Sequence, residues 1–566
     1  MRMNIVKSFF TYTKKYKKYV VLTSFFLFLE SLVDGVSPYF LKKMIERSTS
    51  ILGMKSIFES FLLFLGILCV GLVASLLGSY ISSKATSQFC YDIRKDILHS
   101  ILKARTMEGE RIDVSTLTTV VSNDIETVGT IFLYFIRMFL KIPFLFLFSF
   151  LFMALINPFY FLFVFLTIPI LVFILFFLLR KAFPYFKQEQ DVMDQMTECI
   201  DENISGKQLI MTTMTENKQE ARFEQINEKL RRLHIVSMKT ITFSTPILKS
   251  FIYALTLFLL FLSHKGIFVN VENVGTLMAF LEYLTLVLSS LLMGGMLLLL
   301  ASQSVVSFKR IQSYLNLKEE YVRKEKKKIN CIRLENVSFS YHSYEEKVLD
   351  SITFSIKKGD KIAIVGPTGS GKSTLLKIIA NVYEEEKGSI FWDNYRKKAG
   401  DRNEKILYQP DTMVLFKGTI EENISFYEEK ASRTSIEVSD VCSIVKKKEK
   451  GIEEQINGLQ NNYSGGEKNR ISLARSLNRN PSFLCLDDSL SATDLKTEKK
   501  ILKQMFITYN ETAFLFVTSR LSSLEHFDKI IVLNHGKIEA MGTLEEVMRN
   551  PFFLYMYQIS REVNHG

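Results

Sequence analysis

Gly366-Pro367-Thr368-Gly369-Ser370-Gly371-Lys372-Ser373, followed by Thr374, is the stretch on which the reading of this 566-residue chain turns. It fits the pattern of a phosphate-binding loop without a gap. Its surroundings fit as well: Lys361-Ile-Ala-Ile-Val365 reads as a short buried strand, and Ser373-Thr-Leu-Leu-Lys-Ile-Ile-Ala380 opens a helix. Glycines let successive backbone N–H groups turn inward on an anion, and the positive end of the helix dipole adds to the attraction. In such a loop Lys372 reaches the terminal phosphates, and the Ser373 hydroxyl is placed to ligate Mg²⁺. A chance Gly/Ser loop would lack the strand before it and the helix after it.

Downstream, Phe483-Leu-Cys-Leu-Asp487 describes a buried strand that ends in an acid, which suits delivery of a carboxylate to Mg²⁺. Between the two lies Tyr463-Ser-Gly-Gly-Glu467, opening a helical run from Lys468 to Ser476. Ser464, Gly465 and Gly466 present a hydroxyl and backbone N–H groups to an anion. The same residues also suit an ordinary capped helix start. From Asn330 onward short apolar runs alternate with helical patterns, which reads as an α/β domain over 330–566.

Upstream the chain changes character. Six apolar runs are long enough, at about 20 residues each, to cross a bilayer: Tyr19–Phe40, Ile57–Ser82, Val128–Ile156, Phe159–Leu179, Ile241–Leu262 and Val274–Ser302. They define an all-α membrane domain over 19–312, with long polar connections near 83–127 and 180–240. An even number of spans leaves both termini on one side. Lys42, Lys43, Arg47 and Lys55 in the first short loop blur a positive-inside argument. The nucleotide motifs resolve it, because ATP is cytosolic. Residues 1–18 alternate apolar and basic, as an interfacial elbow helix would. The first apolar run is too long for a signal peptide and contains Glu30 and Asp34. Residues 313–329 form a charged linker, where the i,i+4 pairs Glu319/Arg323 and Glu320/Lys324 would let the last helix continue. Anionic-lipid contact is the sharper reading of that run, a solvated linker the plainer and favoured one.

Composition fits a mixed membrane and soluble chain: 48% of residues are hydrophobic, with 47 Phe and one Trp, yet 23% are charged. The net charge of +12 comes without a basic recognition module, so nucleic acid is not an expected partner. Cys69, Cys90, Cys199, Cys331, Cys442 and Cys485 show neither CxxC nor metal-ligand spacing. Several ionisable residues fall inside spans, where they are costly. Glu30 and Asp34 sit four apart in the first span, Arg137 and Lys141 in the third, with Lys249 in the fifth and Glu282 in the sixth. They form either a polar stripe lining a translocation cavity or mutual ion pairs and snorkelling side chains.

Together these motifs, in this order, resemble the ATP-binding-cassette (ABC) transporter family, in the half-transporter form of its exporters. The resemblance covers essentially the whole chain. It implies ATP and Mg²⁺ as ligands, a P-loop NTPase fold, a plasma-membrane location with a cytoplasmic cassette, and a second half-transporter as partner. Tyr341 matches the aromatic residue that stacks on adenine, and Gln409, in Tyr-Gln-Pro-Asp, the Q-loop residue that contacts Mg²⁺ and the membrane domain. Asp487 matches the Walker B acid, Ser464-Gly-Gly466 the signature, and Ser491-Ala-Thr-Asp494 the D-loop. Leu415 to Ile424 is similar to the exporter-type sequence after the Q-loop, and Glu202-Asn-Ile-Ser-Gly-Lys207 to the segment near the second coupling helix.

Four departures matter. The family's catalytic Glu after the Walker B acid is Asp488, whose carboxylate retreats by roughly 1 Å or more, and a misplacement of that size costs on the order of 100-fold in rate. The family's switch His, expected in Val517-Thr-Ser-Arg520, is Ser519, too short to bridge to the γ-phosphate. Tyr463 and Glu467 replace the usual Leu and Gln around the signature. Gln455 to Gln460 lacks the acidic–basic pair usual in exporters. In the family two cassettes pair head-to-tail, each signature covering the ATP of the other. The resemblance therefore implies the degenerate-site half of a heterodimer, with a partner that brings Glu and His. The expected activity is ATP-driven export of an amphiphilic drug, lipid or peptide. The alternatives are an importer of exporter-like fold carrying a metal chelate, and a catalytically silent ATP-binding regulatory subunit. No peptidase-like segment precedes the first span, so leader cleavage is not expected. The Lys-, Ile- and Asn-rich composition points to an AT-rich bacterial genome.

Overall fold

A computed structural model of the chain describes residues 13–49, 54–104, 112–156, 158–264, 274–317, 323–325, 329–341, 347–398, 400–426, 428, 430–457 and 463–565. They divide into two compact units, one drawn from Met1–Lys103 and Ile112–Leu317, the other from Ala104–Arg111 and Lys318–Gly566.

The first unit is helical. Its helices are α1 (Lys17–Thr49), α2 (Met54–Lys103), α3 (Val114–Ile156), α4 (Pro158–Ser205), a short α5 (Lys207–Thr213), α6 (Glu216–His264) and α7 (Val274–Leu315). Six are long and apolar enough to cross a membrane. In hydrocarbon every backbone N–H must be satisfied within its own segment, which a continuous helix does. Large apolar side chains such as Leu72 and Leu76 on α2 and Phe173, Phe176 and Phe177 on α4 point outward, as lipid-facing residues do. The polar connections are mostly helical continuations of the spans. α4 alone has 48 residues, so at about 1.5 Å per residue it extends about 72 Å, more than twice a hydrocarbon core of about 30 Å.

α3 is interrupted by two π-turns, Val120–Asp124 and Phe135–Phe139. Arg137 lies inside the second, where the wider turn breaks the simple four-residue alignment with Lys141 expected from the sequence. Of the intramembrane charges, Lys141 donates to Glu30 at 2.7 Å and lies 3.0 Å from Asp34. Lys141 of α3 thus meets Glu30 and Asp34 of α1 as an ion-paired group, while Lys249 and Glu282 are exposed. Nearby, the buried Tyr283 hydroxyl of α7 donates to the Gly35 carbonyl at 2.9 Å, tying α7 to the stretch of α1 just before Pro38. At another level of the unit, Phe89 stacks on Phe132 at 4.6 Å, and Tyr16 sets its edge against both.

Of two expectations about the ends of this unit, one lies mostly outside the described residues and the other is corrected. Most of the elbow segment lies outside the described residues, which show only a 3₁₀ turn, Lys14–Tyr16, leading into α1. The last helix does not continue into the charged linker: α7 stops at Leu315, and Arg323–Glu325 is a strand paired with Asp401–Asn403. Arg323 and Lys324 lie in that strand, so they lack the helical geometry that their i,i+4 pairs need; Glu319 and Glu320 lie outside the described residues.

The second unit is α/β. β1 (Cys331–Phe339), β2 (Leu349–Lys357), β4 (Lys387–Trp392) and β5 (Tyr395–Arg396) make an antiparallel sheet in the order β2-β1-β4-β5. The main sheet contains β3 (Lys361–Val365), β6 (Ile406–Gln409), β7 (Phe483–Asp487), β8 (Ala513–Val517), β9 (Lys529–Asn534) and β10 (Lys537–Gly542). Its order is β10-β9-β3-β8-β7-β6, parallel except for β10. β3, β7 and β8 are buried at every position, as strands covered on both faces must be, hence apolar runs broken only by Lys361 at the start of β3 and Asp487 at the end of β7. One face packs on α8 (Lys372–Ile379) and the antiparallel sheet, the other on α9 (Gly465–Asn478) and α10 (Leu495–Thr508). The site forms where β3 and β7 end.

Candidate functional site

β3 feeds residues 366–371 into α8. Gly371 has φ +97°, and a Cβ there would stand 2.8 Å from the Val348 carbonyl oxygen, so a side chain is excluded on both conformational and steric grounds. Lys372 folds back on the loop, donating to the Gly366 carbonyl at 2.9 Å and the Pro367 carbonyl at 2.7 Å. Burial holds its ammonium below the ordinary lysine range, against the pull of Asp487 and Asp488. Phosphate oxygens would add counter-charge to this half-buried cation.

β7 runs beside β8, which lies next to β3, and ends in Asp487. The Ser373 hydroxyl donates to Asp487 Oδ1 at 3.0 Å, so loop and strand-end acid meet although they are 114 residues apart. The Tyr408 hydroxyl donates to the other oxygen, Oδ2, at 2.9 Å. Burial pushes the Asp487 carboxyl up and outweighs these two hydrogen bonds. Gln409, at the end of β6, is 1% exposed, yet its Oε1 and Nε2 have no partner among the described residues. Ser370 Oγ, in the loop, is likewise buried and unpartnered. Buried amides in this state are rare and call for an explanation. A hydroxyl, a carboxylate and an amide oxygen are the hard oxygen donors that Mg²⁺ prefers, so Ser373, Asp487 and Gln409 fit the ion.

Tyr341, partly exposed at the end of β1, is held by Thr374 on α8, with 2.9 Å between the hydroxyls. Its ring is set edge-on by Phe339 and Tyr383, which stack on each other at 5.5 Å. A restrained aromatic face beside the phosphate loop suits a purine.

Asp488 is half-buried, with φ +45°. That left-handed conformation is tolerated by Asp better than by most side chains. Ser519 is exposed. Its neighbour Arg520 turns to the D-loop, donating to the Thr493 carbonyl at 2.6 Å, to the Ser491 carbonyl, and to the buried Glu498. Sequence reasoning missed Arg520 and Tyr408. Position beside Ser519 and Gln409 was the available signal, but their partners are far away in the chain.

Ser464 caps α9 in a reciprocal box with Glu467, a role that the family's expected glutamine could also fill. Gly465 and Gly466 open that helix against the D-loop; a Cβ on Gly466 would stand 2.7 Å from the Ala492 carbonyl oxygen. Asp494 caps α10 by accepting from Thr497. The Gln455–Gln460 segment is described only in part: Gln455–Ile456 pairs with Gly418–Thr419, and 458–460 lie outside the described residues.

Comparison with known proteins extends the picture. Residues 20–291 match the ABC transporter transmembrane region, and residues 349–491 match the ABC transporter family. The uncharacterized ABC transporter ATP-binding protein YfiB of Bacillus subtilis is 27% identical over 567 residues, covering 98% of each chain. ATP-dependent lipid A-core flippase 2 of Colwellia psychrerythraea is 25% identical, covering 95% of this chain and 94% of its own. A bacterial Atm1-family ABC exporter, solved with ATP bound, shares the fold at a TM-score of 0.79 and 18% identity, over 96% of this chain and 98% of that one.

Proposed function

This chain belongs to the ABC transporters, as a membrane-spanning half-transporter of exporter type, and from that premise we propose that it is the slow-hydrolysing half of a heterodimeric exporter. The observation that carries the proposal is the pairing of an intact phosphate loop with Asp488 and Ser519 at the two positions that normally drive hydrolysis.

In this reading Tyr341 stacks on adenine. The backbone of residues 366–371, with Lys372, holds the phosphates, while Ser373, Asp487 and Gln409 hold Mg²⁺. Bound there, Mg²⁺ supplies charge neutralisation between the terminal phosphates. Asp488 orients water from about 1 Å too far back, which costs on the order of 100-fold. Ser519 offers no imidazole to the γ-phosphate, and Arg520 is committed to the D-loop carbonyls rather than to nucleotide. Ser464, Gly465 and Gly466 serve the nucleotide held by the partner, whose own Glu and His do most of the hydrolysis. ATP in the present site then acts as a long-lived clamp.

The cargo we propose is an amphiphile carried outward, of the drug, lipid or peptide kind. A relative named as a lipid A-core flippase supports the lipid side of this range. The test is ATP hydrolysis by the purified chain without a partner. It is expected to be slow, and Asp488→Glu combined with Ser519→His should raise it by about tenfold or more. Brisk hydrolysis by the unmodified chain would overturn the slow-site and heterodimer proposals together.

A further inference from the structure

We infer that Tyr408 is a positioning residue for the metal end of the nucleotide site, its hydroxyl holding the Asp487 carboxylate turned toward Ser373. The inference rests on the reading that Ser373 and Asp487 hold Mg²⁺.

The register of the main sheet sets up the contact. Tyr408 on β6 lies opposite Cys485 on β7, two residues before Asp487. Side chains two apart on a strand share a face, so the phenol needs only to lean along β7 to reach the acid. Asp487 then receives one donor on each oxygen, Ser373 on Oδ1 at 3.0 Å and Tyr408 on Oδ2 at 2.9 Å. The terminal torsion of a carboxylate is broad and roughly two-fold. A donor on the far oxygen removes that freedom and leaves Oδ1 beside the Ser373 hydroxyl.

The ring and the hydroxyl of Tyr408 have separable jobs. The ring packs against the core between the two sheets, a task phenylalanine would do equally well. The hydroxyl spends its hydrogen bond on Asp487. Groups that orient a metal ligand from behind typically contribute 10- to 100-fold to metal affinity. Tyr408 is also the residue before Gln409, whose buried amide has no partner among the described residues.

The experiment uses the full-length chain in detergent with a fluorescent ATP analogue, titrated with Mg²⁺ from an EDTA baseline. Tyr408→Phe is expected to need about tenfold more Mg²⁺ for half of the metal-induced change in binding, while binding in EDTA stays as in the unmodified chain. An unchanged Mg²⁺ requirement would overturn the inference. So would loss of the EDTA-state binding, because Tyr408 would then serve the fold rather than the metal. Asp487→Asn separates the two layers of the argument. If it abolishes the Mg²⁺ response, the metal reading stands whatever Tyr408→Phe does; if the response survives it, the metal reading itself falls.

Discussion

The hydroxyls of Tyr341 and Thr374 stand 2.9 Å apart, so the aromatic residue beside the phosphate loop is anchored to the first turn of α8. Base–aromatic stacking contributes about 1–3 kcal/mol by alanine substitution. Tyr341→Ala should therefore weaken nucleotide binding about tenfold, whereas Tyr341→Phe, which keeps the ring and loses the tether, should weaken it only about two- to threefold. Titration with a fluorescent nucleotide reads both, and an alanine variant that binds normally would remove Tyr341 from the site.

Gly466 faces a backbone carbonyl, at 2.7 Å from where its Cβ would be. Backbone cannot yield as a side chain does, so Gly466→Ala should push α9 away from the D-loop. In a head-to-tail pair this damages the partner's nucleotide, not the chain's own. Hydrolysis by the assembled transporter should fall by on the order of 100-fold, with nucleotide affinity of the isolated chain unchanged. Parallel loss of both would point to misfolding of α9 instead.

Lys141 holds two carboxylates of α1, Glu30 at 2.7 Å and Asp34 at 3.0 Å. The group is half-buried, so removing Lys141 leaves two carboxylates poorly solvated and facing each other, while replacing the whole group with uncharged residues is often neutral. Lys141→Met should lower the thermal midpoint in detergent, and adding Glu30→Gln and Asp34→Asn should recover it. If the triple variant is stable but transport is lost, the charges serve cargo as well as packing.

Asp440 bridges two helices of the cassette, 2.8 Å from Arg470 on α9 and 2.7 Å from Lys500 on α10. Burial pushes its carboxyl up, but hydrogen bonds from Lys500 and Ser443, with the nearby Arg470 charge, leave it below its ordinary value. A depressed native pKa gives stability that is fully present above the unfolded value and lost as pH falls through the native one. Acidification below about pH 4 should therefore erase the difference in thermal midpoint between the unmodified chain and Asp440→Asn, a difference that is expected to be constant from about pH 5 to 8.

The sequence made the cassette legible because its determinants are local. A run such as Lys361–Val365 followed by a glycine loop and a helix leaves few alternatives. The six spans were legible for a similar reason, since length and apolarity are properties of one segment at a time. Relations between segments were harder to read. Lys141 and Glu30 are 111 residues apart, Tyr408 and Asp487 are 79, and only tertiary packing shows that each pair meets. The π-turn around Arg137 left no mark in the hydrophobic pattern, because widening one turn changes neither composition nor length. The linker misled for the opposite reason. Its i,i+4 charges favour a helix by a few tenths of a kcal/mol per pair, too little to compete with pairing of Arg323–Glu325 to Asp401–Asn403.

The length of α4 has a mechanical consequence. With about 72 Å of helix packed along α6, a pivot near the bilayer leaves an arm of about 40 Å beyond it. A tilt of about 10° at that pivot then sweeps the distal end through about 7 Å, a movement larger than one helical turn of about 5.4 Å. If α4 moves as one rod through Pro169 and Pro184, rocking of that size within the membrane would become travel on the scale of a side chain's full reach at the tip bearing Gly206 and α5.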